Sequence, residues 1–138
     1  MFDILSRAKA KDLMRREVLT LSEDKTVADA AGLMSKHNRG YCLVLNAVGE
    51  LAGIFTERDL VRRTVADNQD ARKLSLKKVM TTNIIQAQAE ESAIHLLDIM
   101  CSHNFRHIPI LDGKKILGIV SIKHFYQFFL EKRESWGV

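Results

Sequence analysis

Cysteine is scarce in this 138-residue chain. Cys42 and Cys101 lie far apart, each in a stretch that reads as regular structure, which excludes a disulfide framework. Glycine is also sparse: seven scattered residues encode neither a Walker-type nor a dinucleotide-type phosphate loop. No apolar run approaches the roughly 18 residues that a membrane-spanning helix needs. Asp3, Arg7, Lys9, Lys11 and Asp12 interrupt any signal-peptide core, so the expected location is cytoplasmic, with no membrane partner. An excess of one charge sign is missing too. The net charge of +4 comes from dispersed lysines and arginines, which demands no nucleic-acid partner. Ser6, Ser75 and Ser102 lack any context that would activate a nucleophile, and an enzyme is not expected.

The chain does contain an internal duplication. At an offset of 66, Met14 falls on Met80, Met34 on Met100, His37 on His103, Asn38 on Asn104 and Leu45 on Leu111. A one-residue deletion near Gly49 and Gly113 changes the offset to 65, after which Gly53-Ile54 falls on Gly118-Ile119. Each match is weak alone, but their shared order with one indel in a turn is hard to reach by chance. A repeat of about 60 residues buries a poor share of its surface, so the halves are expected to share a core.

Both halves read β-α-β-β-α. In the first, an extended stretch from Val18 to Leu21 precedes Thr26-Val27-Ala28-Asp29, which has the form of a capping box. The helix that follows runs to about Asn38, with Val27, Ala30, Ala31 and Met34 on one stripe. Strands Tyr41 to Asn46 and Leu51 to Phe55 flank a turn, and a second helix starts at Thr56 and continues through Leu60, Val61 and Val65. Asp67 to Leu74 is a polar connection, and Leu76 to Met80 a helical turn. The second half repeats the order: Ile84 to Ala87 extended, a helix from Ser92 to His103, strands His107 to Leu111 and Ile116 to Val120, and a helix from Ser121 to Lys132. Glu131 to Val138 reads as a frayed tail, with docking of Trp136 as the alternative.

The lead-ins Lys11-Asp12-Leu13-Met14 and Lys77-Lys78-Val79-Met80, the run His103 to Ile110, and the segments Gly53 to Asp59 and Gly118 to Ser121 resemble CBS domains. Two in tandem resemble the paired unit called a Bateman module, with one domain at 10–68 and another at 76–132. The resemblance implies an α/β (α+β) fold of two repeats packed about a pseudo-two-fold axis. It implies a regulatory module whose clefts between the halves bind an adenosine compound: AMP, ADP, ATP, NAD or S-adenosylmethionine. It also implies a disk-like homodimer and a regulated protein partner.

The side chains suit such a ligand. A hydroxyl at Thr56 lies beside free amides and the positive end of a helix dipole, a place for phosphate. Asp59 can accept two hydrogen bonds at once, as from a ribose diol. The same tetrapeptide also fits a capping box, in which Thr56 stabilises its helix by about 1 kcal/mol with no ligand. By resemblance, Ile54 lies against the ligand, the same half adds Gly40 and Tyr41, and the other half supplies Ile85, Arg106 and His107. The Arg106 fork matches phosphate oxygens; its alternative is a solvated residue before an edge strand. Arg58 reaches either the phosphate or, as the preferred reading, a surface carboxylate.

In the second half His124 replaces the ribose carboxylate, and an imidazole cannot take a diol as Asp does. One good site and one degraded site are expected, with Ser121 remaining a helix cap. Cys101, His103 and His107 are metal-ligand types, but Cys101 and His103 point to different faces of a helix, and no metal is expected. Phe125, Tyr126, Phe128 and Phe129 crowd the last helix beyond what one face can bury, which points to a dimer contact over simple core packing. A ligand-free module that joins or regulates a protein partner is the alternative function.

Overall fold

The computed structural model describes residues 2–133. The chain runs α1 (Phe2–Arg7), α2 (Ala10–Leu13), β1 (Thr20–Ser22), α3 (Val27–Lys36), β2 (Tyr41–Leu45), β3 (Leu51–Thr56) and α4 (Glu57–Leu60), which continues as a π-helical segment (Val61–Val65). After it come α5 (Leu76–Val79), α6 (Ala93–His103), β4 (His107–Asp112), β5 (Lys115–Ser121) and α7 (Ile122–Lys132). These elements gather into two compact units that do not coincide with the sequence repeats. One is Val18–Ile84; the other joins the residues up to Glu17 with those from Ile85 onward.

In the Val18–Ile84 unit the sheet order is β1-β2-β3, with β1 parallel to β2 and β2 antiparallel to β3. The Thr26 box forms as the sequence predicts: the Asp29 amide donates to Thr26 Oγ1 at 3.1 Å and the Thr26 amide to Asp29 Oδ2 at 3.0 Å. Thus capped, α3 puts Val27, Ala30 and Met34 against Cys42, Val44, Phe55 and Leu76. Full burial of Phe55 contributes about 1.5–3 kcal/mol. Burial also pushes the Cys42 thiol up to about 12, so it stays protonated.

The other unit pairs β4 with β5 antiparallel. Its core draws on Leu5, Ala8, Ala10 and Leu13 from the chain's beginning as well as Leu96, Met100, Ile108, Val120 and Phe125. There are two clusters, one in each unit, and each draws on both sequence repeats, as the expectation of shared packing requires: Ala10 and Leu13 enter one, and Leu76, Val79 and Met80 the other.

The duplication shows in fine detail. Register shifts interrupt the strand pairs at Val44/Leu45 and again at Ile110/Leu111, equivalent places in the two repeats. Asn38 and Asn104, paired in the repeat alignment, both follow long helices in the left-handed region, with φ of 52° and 57°. A short polar side chain tolerates that conformation. The deletion falls in the hairpins: Asn46 and Glu50 close the first loop, whereas Asp112 pairs directly with Lys115 in the second.

Two expectations about these elements are corrected. The stretch Ile84 to Ala87 is not a strand. Only Ala87 of these residues is buried, and it alone pairs, in a single parallel bridge to Ile110. The helix after Thr56 does continue through Val65 as expected, as α-helix to Leu60 and as a wider π-helix from Val61. Glu131 and Lys132 are not a tail but the last residues of α7; Trp136 lies outside the described residues.

Candidate functional site

Thr56 ends β3 and caps α4, a position set by its register partner Tyr41 and by the Glu57 amide, which donates to the Gly40 carbonyl at 3.1 Å. Asp59 comes one turn later and is buried, 6% exposed. Its Oδ2 accepts from the Thr56 amide at 3.0 Å and the Thr56 hydroxyl at 3.2 Å, while the Asp59 amide donates to Thr56 Oγ1 at 3.3 Å. The capping box is therefore complete. The amides of Glu57 and Asp59 and the hydroxyl hydrogen of Thr56 are all in use, so a phosphate at this corner depends on side-chain cations rather than on those donors, contrary to the phosphate role expected of Thr56.

Two further residues, not foreseen from the sequence, hold the carboxylate. The Thr81 hydroxyl donates to Asp59, 3.2 Å from Oδ1 and 3.5 Å from Oδ2. Arg63 brings Nε to 3.7 Å from Oδ1, while its Nη1 donates to the carbonyls of Val79 and Met80 at 3.1 and 3.2 Å. An acid placed four residues before a base on a helix is a readable signal, and Asp59-Arg63 carries it. Thr81 carried none, because it reaches the corner through backbone pairing: Ile54 and Thr81 exchange two hydrogen bonds of 2.9 Å.

Around this corner Ile54 is buried and Tyr41 nearly fully so, its hydroxyl accepting from the Leu19 amide at 3.4 Å. Gly40 lies under the Glu57 carboxylate: a Cβ there would meet its atoms at 3.4 Å. That negative charge disfavours an anion directly over Gly40. Arg58 is exposed. The unit thus brings together Thr56, Asp59, Arg63 and Thr81, framed by Gly40, Tyr41 and Ile54.

The equivalent corner of the other unit is chemically different. Ser121 is buried at the N-cap of α7, and its amide donates to His124 Nδ1 at 3.0 Å. His124 therefore does for α7 what Asp59 does for α4. As acceptor, Nδ1 must lack a proton, which assigns the hydrogen of the neutral ring to Nε2. His107 is the register partner of Ser121. Burial foremost, then the charge that His124 carries whenever it is protonated and the charge of Arg106, lowers its pKa to about 4, so it is neutral at pH 7. Arg106 is exposed and its carbonyl accepts from the Ile122 amide; Ile85 is half-buried. Among the described residues no group of three His, Cys, Asp or Glu is placed to hold a metal ion. No helix among them is long and apolar enough to cross a membrane.

The CBS-domain family profile matches residues 10–66 and 76–131. The sequence is 33% identical over 115 residues to the CBS domain-containing protein YhcV of Bacillus subtilis, covering 83% of this chain and 81% of that one. The fold is similar to the crystal structure of the CBS-domain containing protein ATU1752 from Agrobacterium tumefaciens, with 32% identity and a TM-score of 0.80 over 87% of this chain and 92% of that one. It is also similar to the CBS domain pair of protein MJ0100, crystallised in complex with 5′-methylthioadenosine and S-adenosyl-L-methionine, with 26% identity and a TM-score of 0.81 over 91% of this chain and 98% of that one.

Proposed function

This chain belongs to the CBS-domain family, and we propose that its pair of repeats is a regulatory module that binds an adenosine nucleotide at the Thr56–Asp59 corner. The observation that carries the reading is a buried carboxylate three residues after a hydroxyl at the start of a helix, in one repeat only. Asp59 takes the ribose diol while the Thr56 hydroxyl stays bonded to it, and Arg63 supplies positive charge for a phosphate beside them. Support comes from the adenosine compounds bound by the MJ0100 pair. AMP, ADP, ATP and NAD are the favoured ligands, with S-adenosylmethionine included because of that relative. The module performs no catalysis; occupancy alters its shape or its affinity for a protein partner.

A thermal-shift titration with these five compounds tests the reading. A site ligand at about 100 times its Kd adds about 2.7 kcal/mol, a clear rise in Tm. Asp59→Ala removes most of that rise. Five flat titrations would sink the proposal.

The proposed assembly is a homodimer. Val61 and Val65 in one repeat, and Tyr126 and Leu130 at the equivalent positions of the other, are all more than half exposed. Two apolar pairs at matched places suit a self-complementary surface. Light scattering on a Tyr126→Ser, Leu130→Ser double variant is expected to give half the wild-type mass.

One observation favours a second reading, a ligand-free interaction module: the acceptor positions of Asp59 are largely used by Thr56 and Thr81. A stoichiometric protein partner in a pull-down, with no small molecule in the denatured protein, would support it.

A further inference from the structure

A carboxylate offers about four lone-pair positions. At Asp59 the Thr56 amide, the Thr56 hydroxyl and the Thr81 hydroxyl use three, and Arg63 Nε stands 3.7 Å from Oδ1 beside the fourth. A vicinal diol brings two more donors. One resident donor must leave before both sugar hydroxyls can bond.

The residents differ in how readily they leave. The Thr56 amide is fixed by the start of α4, and the Thr56 hydroxyl is also the acceptor for the Asp59 amide. The Thr81 hydroxyl has no such second duty in the cap. Its backbone is held independently by the paired bonds to Ile54, so the side chain can turn about χ1 while the chain stays in place. Thr81 is only half-buried, which leaves solvent within reach of the turned hydroxyl.

We propose that Thr81 is a specificity-determining residue of this corner: its hydroxyl competes with a sugar hydroxyl for Asp59 Oδ1, and a bound ribonucleotide displaces it. The proposal rests on the nucleotide reading above and deepens it. The favoured ligands carry both ribose hydroxyls free, since a deoxy sugar has only one donor and can use the open position with Thr81 still bonded. Thr81 therefore lowers affinity for ribonucleotides more than for deoxyribonucleotides.

Calorimetric titration of AMP and 2′-deoxy-AMP into wild type, Thr81→Val and Thr81→Ser tests this. Valine keeps the shape and the Ile54 pairing but removes the donor. The expected result is AMP affinity raised roughly tenfold or more in Thr81→Val, the range of one hydrogen bond to a charged group, with 2′-deoxy-AMP changed less than about twofold. Thr81→Ser keeps the wild-type ratio. Equal changes for both nucleotides in Thr81→Val, no change, or loss of AMP affinity overturns the competition and leaves the nucleotide reading standing. Wild-type protein that binds neither nucleotide overturns both.

Discussion

Arg15 and Ile119 are joined by two reciprocal backbone hydrogen bonds of 2.9 Å, the same arrangement that joins Thr81 to Ile54. Arg15 and Thr81 are equivalent in the sequence repeat, as are Ile119 and Ile54. Each lead-in thus lies along the strand that carries a glycine one residue before its partner. At Gly118 an added Cβ would fall 2.5 Å from the Arg15 carbonyl oxygen; at Gly53 it would fall 2.5 Å from Met80 Sδ and 3.0 Å from the Thr81 carbonyl oxygen. The glycine that opens each repeated run is there to admit a crossing chain.

Gly118→Ala is accordingly expected to cost roughly 1–3 kcal/mol, because the obstruction is backbone. Gly53→Ala costs less, since the nearest obstacle is a flexible methionine end. Gly32→Ala, in α3 with nothing within 4 Å of the new Cβ, stabilises by about 0.5–1 kcal/mol. Urea unfolding of the three variants measures this ranking, and equal losses at 53 and 118 would contradict it.

Asp59 holds a cap and, as proposed, a sugar; two substitutions separate these roles. Asp59→Asn retains an oxygen for the Thr56 amide and is expected to stay within about 0.5 kcal/mol of wild type, whereas Asp59→Ala loses roughly 1 kcal/mol. Both variants lose the nucleotide-dependent rise in Tm, because a single amide oxygen cannot serve both sugar hydroxyls as the carboxylate does. A full ligand response in Asp59→Asn would show that the charge has no part in binding.

His124→Asp places an acceptor and a negative charge in the first turn of α7. Favourable interaction with the helix dipole is expected to add about 0.3–1 kcal/mol at pH 7, read as a higher Tm. A lower Tm would mean that the imidazole is held by more than its bond to Ser121.

Acid should destabilise the fold through His107. Its pKa is about 4 in the folded chain and near the ordinary 6.5 when unfolded. Between those values the unfolded state binds a proton that the folded state refuses, so this contribution is whole above pH 6.5 and declines as pH falls toward 4. His107→Phe keeps a half-buried ring without the titration. The difference in unfolding free energy between wild type and variant should fall with acidification across that window and flatten below it; a constant difference would exclude His107 as a source of acid sensitivity.

The features legible in the sequence are those set by short spacings. Thr26 with Asp29 and Thr56 with Asp59 sit three residues apart and form their boxes because neighbouring backbone decides them. The hairpin deletion and the paired asparagines likewise report local backbone shape. What escaped is non-local. Thr81 stands 22 residues from Asp59 and meets it only because its segment pairs with Ile54. The widening of the helix after Leu60 has no signal in the apolar spacing, and the strand expected at Ile84 to Ala87 had the right pattern but only one residue that enters the core.

A chain cut within the polar connection that separates the two sequence repeats would leave neither folding unit whole, since each fragment keeps the lead-in that its counterpart needs. A half-length molecule is on this ground self-complementary rather than self-sufficient. It would have to trade lead-ins with a twin, and the tandem gene makes that exchange permanent within one polypeptide.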